Sequence, residues 1–206
     1  MRPDESPHDE GPHRVEILLS ERVLDGFFRV DRVQLRHERF DGRMSPPMTR
    51  LLFERGDSVA VLPYDRKRDE VLLVRQFRYP AFVRGGPGWL WEIIAGMQEE
   101  GVDPKDVARN EAMEEAGYRL GPLRHIATVY PSPGGSSERV AIYLASVTEA
   151  DRVSAGGGLE ESGEDIQVRM VPLDEALAMI EDGRIMDAKT VLALQYLALH
   201  RREFVE

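Results

Sequence analysis

Glu111, Glu114 and Glu115 bring three carboxylates, groups that bind cations, into five consecutive residues. Spacings of three and four put them on one side of a helix, within an arc of about 100° at roughly 100° per residue. Most helical glutamate runs are solvated stripes. Here Val107 and Ala108 fall on the same arc, whereas Lys105, Asp106, Arg109 and Asn110 fall elsewhere. The acids therefore occupy the face expected to turn inward. Three carboxylates there would repel one another and lose hydration unless a cation joined them. Oxygen ligands, in a chain with no cysteine and with no histidine near these acids, favour Mg²⁺ or Mn²⁺ over Zn²⁺. From the residues alone, two readings stand: a solvated acidic stripe or a divalent-metal site.

The rest of the composition narrows what such a site can serve. The 206 residues carry a formal net charge of -10, with 42% hydrophobic and 31% charged residues. That balance opposes general nucleic-acid binding, which needs a basic face. A small phosphorylated ligand remains possible where a metal ion or a local arginine cluster offsets the repulsion. Without cysteine there are no disulfides and no thiolate sites. The N-terminus lacks an apolar signal segment, and no run approaches the ~18 apolar residues of a membrane helix. A cytoplasmic setting is expected.

Several elements must position the acids. Residues 1–12 are polar and proline-bearing and read as a disordered tail. From Val15 to Phe40 the pattern is strand-like, with a hairpin turn at Asp25-Gly26. These strands cannot bury both faces alone, so a subdomain packed on something else, another subunit included, is expected. More apolar strands follow at Ser58 to Leu62, Val71 to Phe77 and Trp89 to Ile94. The spacing predicts a helix over Pro104 to Ala116, with Asp103 as N-cap and Gly117 as terminator. Further strands are expected at Ile126 to Tyr130, Arg139 to Ser146 and Ile166 to Val171, then helices at Leu173 to Glu181 and Ala188 to Arg202. This order suggests an α+β fold, an α/β/α sandwich rather than a parallel wheel.

The run from Gly96 to Tyr118 resembles the Nudix signature, G-x5-E-x7-R-E-U-x-E-E-x-G-U, where U is a bulky aliphatic residue. Gly96, Glu111, Glu114, Glu115 and Gly117 fall in register. Val102 stands where the family has its first Glu, and Asn110 where it has Arg. The resemblance implies Glu111 and Glu115 as main metal ligands, assisted by Glu114 and the Ala95 carbonyl, with Mg²⁺ or Mn²⁺ as cofactor. The family Arg orients the helix acids, so Asn110 should loosen their support. Arg109 points about 100° away and is no obvious replacement.

Beyond the box, the chain from Arg14 to Phe204 is similar to bacterial ADP-ribose pyrophosphatases and GDP-mannose pyrophosphatases. The matching stretches are Gly26-Phe27-Phe28, Phe53 to Gly56, Arg75 to Arg78, Ser132 to Arg139 and Gly163 to Ile166. This implies a Nudix hydrolase domain over 56–206 and an N-terminal antiparallel β-subdomain over 13–55, whose strands exchange across a homodimer. It implies a nucleoside diphosphate sugar as substrate: ADP-ribose, cut to AMP and ribose 5-phosphate, with GDP-mannose as the alternative. Gly26-Phe27-Phe28 leans to the first, and the Asp187 to Leu192 helix start to the second. Arg50 and Arg78 match positions that reach phosphates and base, though most arginines serve only solubility. Phe28 matches an aromatic that stacks on the base, with a core role as the plain alternative. Glu138 matches a contact to ribose hydroxyls. The turn at Ser132 could present amides to an anion. The general base of the relatives is a loop Glu, which leaves Glu160, Glu161 and Glu164 as candidates here. Glu164 is favoured by register, and with Glu161 and Glu115 it forms the expected catalytic set. Trp89 and Trp91 read as core and interface, and the histidines receive no role. A non-catalytic nucleotide-sugar sensor on a Nudix scaffold is the reading from another class, motivated by Val102 and Asn110.

Overall fold

The computed structural model describes residues 11–158, 161 and 163–205. The tail expected over 1–12 lies outside the described residues apart from its last two, and so does Glu160 among the loop candidates. The chain divides into two compact units, residues up to Arg55 together with Ser132–Ser137, and Gly56–Pro131 together with Glu138 onward.

The first unit is a three-stranded antiparallel sheet of β1 (Val15–Asp25), β2 (Arg29–His37) and β3 (Met48–Glu54), in that order. β1 is exposed along its whole length, including Val15, Ile17, Leu18, Leu19, Val23 and Leu24. The sheet is held by its ladders and by cross-strand ion pairs, such as Arg22 Nε to Asp31 at 2.5 Å. The Ser132–Ser137 segment joins it through Phe53 N–H to the Gly135 carbonyl at 2.7 Å and Ser137 Oγ to Glu54.

The second unit is built on β4 (Ser58–Asp65), β5 (Glu70–Phe77), β6 (Trp89–Glu92), β7 (Ile94–Met97), β8 (Leu123–Val129), β9 (Val140–Ser146) and β10 (Gln167–Pro172). The strands run in the order β10-β5-β4-β9-β8, and only β4 and β9 are parallel among the pairs. Every residue of β4 is buried. Its alternation explains this: Ala60, Leu62 and Tyr64 face one apolar cluster, Val59 and Val61 another. α3 (Leu173–Glu181) and α4 (Ala188–Val205) cover the first side with Leu173, Ala176, Met179, Leu194 and Leu197. α2 (Pro104–Glu111) covers the other with Val107 and Ala108. The unit is thus an α/β/α sandwich, and among the described residues no helix is long and apolar enough to cross a membrane.

Four local features depart from the expected elements. β3 follows directly on Ser45-Pro46-Pro47, and a short helix α1 (Tyr79–Val83) leads out of β5. The strand expected over Trp89 to Ile94 is two. β4 and β5 pair only near their turn, and β6 lies on β5 while β7 lies on β4. The helix expected over Pro104 to Ala116 starts as foreseen, with Asp103 accepting from Lys105 N–H at 2.8 Å. It then widens into a π turn over Ala112–Ala116 and stops at Gly117, whose φ of 73° is left-handed. Such turns add a residue to the helical path and recur at functional sites.

Candidate active site

The π turn decides which acids face inward. Glu115 is buried at 6% exposure, Glu111 is half-buried, and Glu114 is exposed. The expectation that all three acids turn inward is therefore corrected. The buried stripe runs through Val107, Ala108, Ala112, Glu115 and Ala116, and the added residue carries Glu114 outward. Gly96 of β7 lies against this face. A Cβ there would come within 1.7 Å of Glu111 Oε1, so only glycine admits that carboxylate.

The two inward acids are electrostatically unsatisfied. Burial, then the neighbouring Glu111 charge, pushes Glu115 up to about 8, against the pull of Arg78 and the Ala95 amide. Burial, then the charges of Glu114, Glu164 and Glu99, pushes Glu111 up to about 7. Glu115 Oε2 is buried without a hydrogen-bond partner among the described residues. An orphaned carboxylate oxygen beside other acids suits coordination of a cation, and an oxygen-only donor set suits a hard one. Among the described residues, no three such side chains already sit close enough to hold an ion, as expected of acids that repel.

The signature's two departures have local accounts. Val102 packs on the apolar cluster under α2, where a glutamate would be desolvated. Asn110 is exposed, and Arg109 pairs with Asp106 at 2.8 Å. Arg78 is the cation that acts on Glu115.

The chain over 153–158 is bonded to the end of the acidic helix. Val153 N–H donates to the Gly117 carbonyl at 2.8 Å, Gly157 N–H to Glu115 at 2.8 Å, and Gly158 N–H to Glu114 at 3.2 Å. These donors satisfy carbonyls a helix end leaves open. At Gly158 a Cβ would meet Glu164 Cβ and Oε2 at 2.7 Å, which fixes Glu164 beside the loop's root. Glu111, Glu115, Ala95, Arg78 and Glu164 are thus brought into one electrostatic neighbourhood. Glu161 is exposed, and no interaction ties it to these acids among the described residues.

Of the other expected residues, Glu138 accepts from Ser58 Oγ at 2.9 Å within this unit. Phe28, Arg50 and Ser132 belong to the first unit. Phe28 meets Phe27 and Phe53 edge to face at 4.7 and 5.1 Å, with Arg55 over its ring. It is more than a third exposed, so the core alternative gives only part of its setting. Arg50 is exposed and bonds the Thr49 carbonyl, and Ser132 is exposed. Trp91 packs on the core, while Trp89 is partly exposed beside Phe77.

A buried ionic cluster was not foreseen. Glu92, 3% exposed, takes Arg78 Nε at 2.8 Å and also Lys189 Nζ, and Lys189 reaches Asp187 at 2.9 Å. Burial would raise Glu92, but the charges and hydrogen bonds of Lys189 and Arg78 hold it below the usual carboxylate range. The signal available in sequence was a lone carboxylate in the apolar run Trp89 to Ile94.

Residues 54–194 match the NUDIX domain profile. The chain belongs to the NUDIX family. NUDIX hydrolases are generally divalent-metal dependent, in keeping with the orphaned Glu115 carboxylate oxygen. ADP-ribose pyrophosphatase of Escherichia coli (strain K12) is 42% identical over 204 residues, covering 98% of this chain and 96% of that protein. ADP-ribose pyrophosphatase of Haemophilus influenzae is 40% identical over 90% of this chain and 87% of its own. GDP-mannose pyrophosphatase of Pectobacterium atrosepticum is 43% identical over 71% and 75%. A crystal structure of an ADP compounds hydrolase superposes with a TM-score of 0.72, covering 96% of this chain and 100% of that one at 20% identity. At that identity it supports the NUDIX fold alone.

Proposed function

We propose that this NUDIX chain hydrolyses the pyrophosphate bond of a nucleoside diphosphate sugar, with ADP-ribose as substrate and AMP and ribose 5-phosphate as products. The observation that carries this is the pair of inward acids, Glu111 and Glu115, raised to about 7 and about 8, beside a glycine, Gly96, that only just clears Glu111. The near full-length similarity to ADP-ribose pyrophosphatases supports the substrate.

Glu111 and Glu115, with the Ala95 carbonyl, would hold Mg²⁺ or Mn²⁺; exposed Glu114 would assist from the rim. The bound ion would neutralise the diphosphate and acidify an attacking water. Glu164, fixed beside Gly158, takes the proton of the water that attacks phosphorus, and the sugar or nucleoside phosphate departs with the bridging oxygen. Glu161 is the second candidate for that proton. Arg78, held by Glu92, keeps a positive charge beside the acids and orients phosphate. Arg50, Phe28, Ser132 and Glu138 are assigned to substrate phosphate, base, anion and ribose in turn.

The first unit is proposed as a dimerising subdomain over 13–55 and the second as the hydrolase domain over 56–206. Aliphatic residues exposed along β1 support a homodimer that covers them. We place the protein in the cytoplasm, where a chain without cysteine loses nothing to reduction. GDP-mannose is the second reading, favoured by the 43% identity to a GDP-mannose pyrophosphatase. Parallel turnover of ADP-ribose and GDP-mannose with Mg²⁺, using wild type and Glu115→Gln, tests both. Faster GDP-mannose hydrolysis reverses the substrate order, and unchanged activity of Glu115→Gln refutes the metal centre.

A further inference from the structure

Ile93 lies at the point where one strand becomes two. Its neighbour Glu92 is the last residue of β6 paired with β5, opposite Val74, and Ile94 is the first of β7 paired with β4, opposite Val61. The Ile93 side chain is 1% exposed and its peptide sits between the two ladders. Its N–H is taken by Thr190 Oγ1 at 2.8 Å, from a residue 97 positions later in the chain.

Thr190 is fully buried in the first turn of α4. A hydroxyl has one proton to give. Thr190 gives it to Asp187 Oδ2, which also accepts the Thr190 N–H at 3.0 Å. With the proton committed there, the lone pairs are left for Ile93. Asp187 thus acts as a helix cap that also sets the direction of the hydroxyl. Two residues beyond Ile93 stands Ala95, and three beyond it stands Gly96, which has no room to approach Glu111 further.

We propose that Thr190 is a positioning residue for the metal-facing strand: from the start of α4 it fixes the Ile93 peptide at the strand crossover and so sets Ala95 and Gly96 against Glu111 and Glu115. The inference rests on the reading of those residues as the metal centre. The β4–β7 ladder pairs Ala95 with Ala60 and Gly96 with Val59 but stops at Ile94, and the β5–β6 ladder stops at Glu92, so the Ile93 peptide from which β7 departs is held by Thr190. Valine at 190 keeps the shape and removes the acceptor; serine keeps the acceptor and removes only a methyl group.

The experiment uses the full chain, with Mn²⁺ alone as the binding probe, followed by paramagnetic resonance of the free ion, and ADP-ribose turnover as the second readout. Thr190→Val is expected to weaken Mn²⁺ binding and to lower kcat by about tenfold each, at little change in KM. Thr190→Ser is expected to restore both to within about twofold. Should Thr190→Val not accumulate folded, Thr190→Ala, which leaves room for a water at Ile93, is read the same way with an intermediate loss expected. A lower Tm with Mn²⁺ affinity and kcat both unchanged overturns the proposal, because that is what a purely structural hydroxyl gives. So does a serine variant as impaired as valine. A wild type that neither binds Mn²⁺ nor hydrolyses the substrate instead removes the metal-centre reading on which the proposal stands, a result distinguishable from the first two.

Discussion

Replacing Glu115 with glutamine should make the metal-free protein more stable while destroying its response to metal. The carboxyl is buried and raised from 4.5 to about 8 by burial and by Glu111. At pH 7 the folded chain must therefore either protonate it or bury its charge. Each unit between 4.5 and the working pH costs about 1.4 kcal/mol, so at pH 7 the penalty reaches ~3 kcal/mol. Side-chain relaxation and entering water lower the observable part to ~1–2 kcal/mol. Glutamine has the same shape and no charge to desolvate. For a chain of this size the gain corresponds to a rise in Tm of ~3–6 °C in EDTA. The sign with pH follows from the raised value. The folded state holds the extra proton between 4.5 and about 8, so metal-free wild type loses stability as pH rises through that window. The advantage of Glu115→Gln should be absent below it and full above it. With metal at a hundredfold excess over Kd, wild type should gain ~3 kcal/mol and the variant much less, so the order of the two reverses. Thermal melts of both proteins across this pH range, in EDTA and in Mg²⁺, measure all of this. A variant less stable than wild type in EDTA at pH 8 would refute the reasoning, since the carboxylate would then be making favourable contacts of its own.

The remaining expectations concern neighbours of that acid. Gly96→Ala puts a Cβ 1.7 Å from Glu111 Oε1, so Mn²⁺ binding and kcat should fall about 10–100-fold with the fold retained by circular dichroism. Gly158→Ala meets Glu164 at 2.7 Å, whereas Gly157→Ala meets nothing within 4 Å although both have positive φ. The first should lower kcat by about a hundredfold and the second mainly stability, and equal kcat in the two would remove Glu164 from the reaction. Leu19→Arg on exposed β1 should convert a dimer to a monomer in light scattering, and a wild type that is already monomeric rejects the dimer.

What could be read in sequence was what local pattern controls. α3 runs from Leu173 to Glu181 as its periodicity indicates, and Asp103-Pro104 starts α2 by capping chemistry alone. The signature likewise marks Glu111, Glu115 and Gly96. The outward turn of Glu114 was hidden because a π turn differs from an α-helix by one residue and leaves no periodic trace in so short a segment. β3 was missed because Met48 to Glu54 does not alternate cleanly. The Glu92, Lys189 and Asp187 cluster, and the Thr190 bond to Ile93, join residues some 97 positions apart. No window along the chain contains both ends of such contacts.

The glycine root of the loop has a consequence for how such a protein can change. Ile166 N–H returns to the Gly157 carbonyl at 3.2 Å, while Gly157 and Gly158 are bonded to the end of the acidic helix. Gly157 and Ile166 are thus held together at one anchored spot. Residues inserted or deleted between those anchors change only the length of chain that joins them, and each doubling of that length adds only ~0.6 kcal/mol of closure entropy. Glu111 and Glu115 need not move. Length between the two anchors is thereby exchangeable, and descendants of this chain could vary it to reposition a base or reshape a substrate preference while inheriting the acidic helix unaltered.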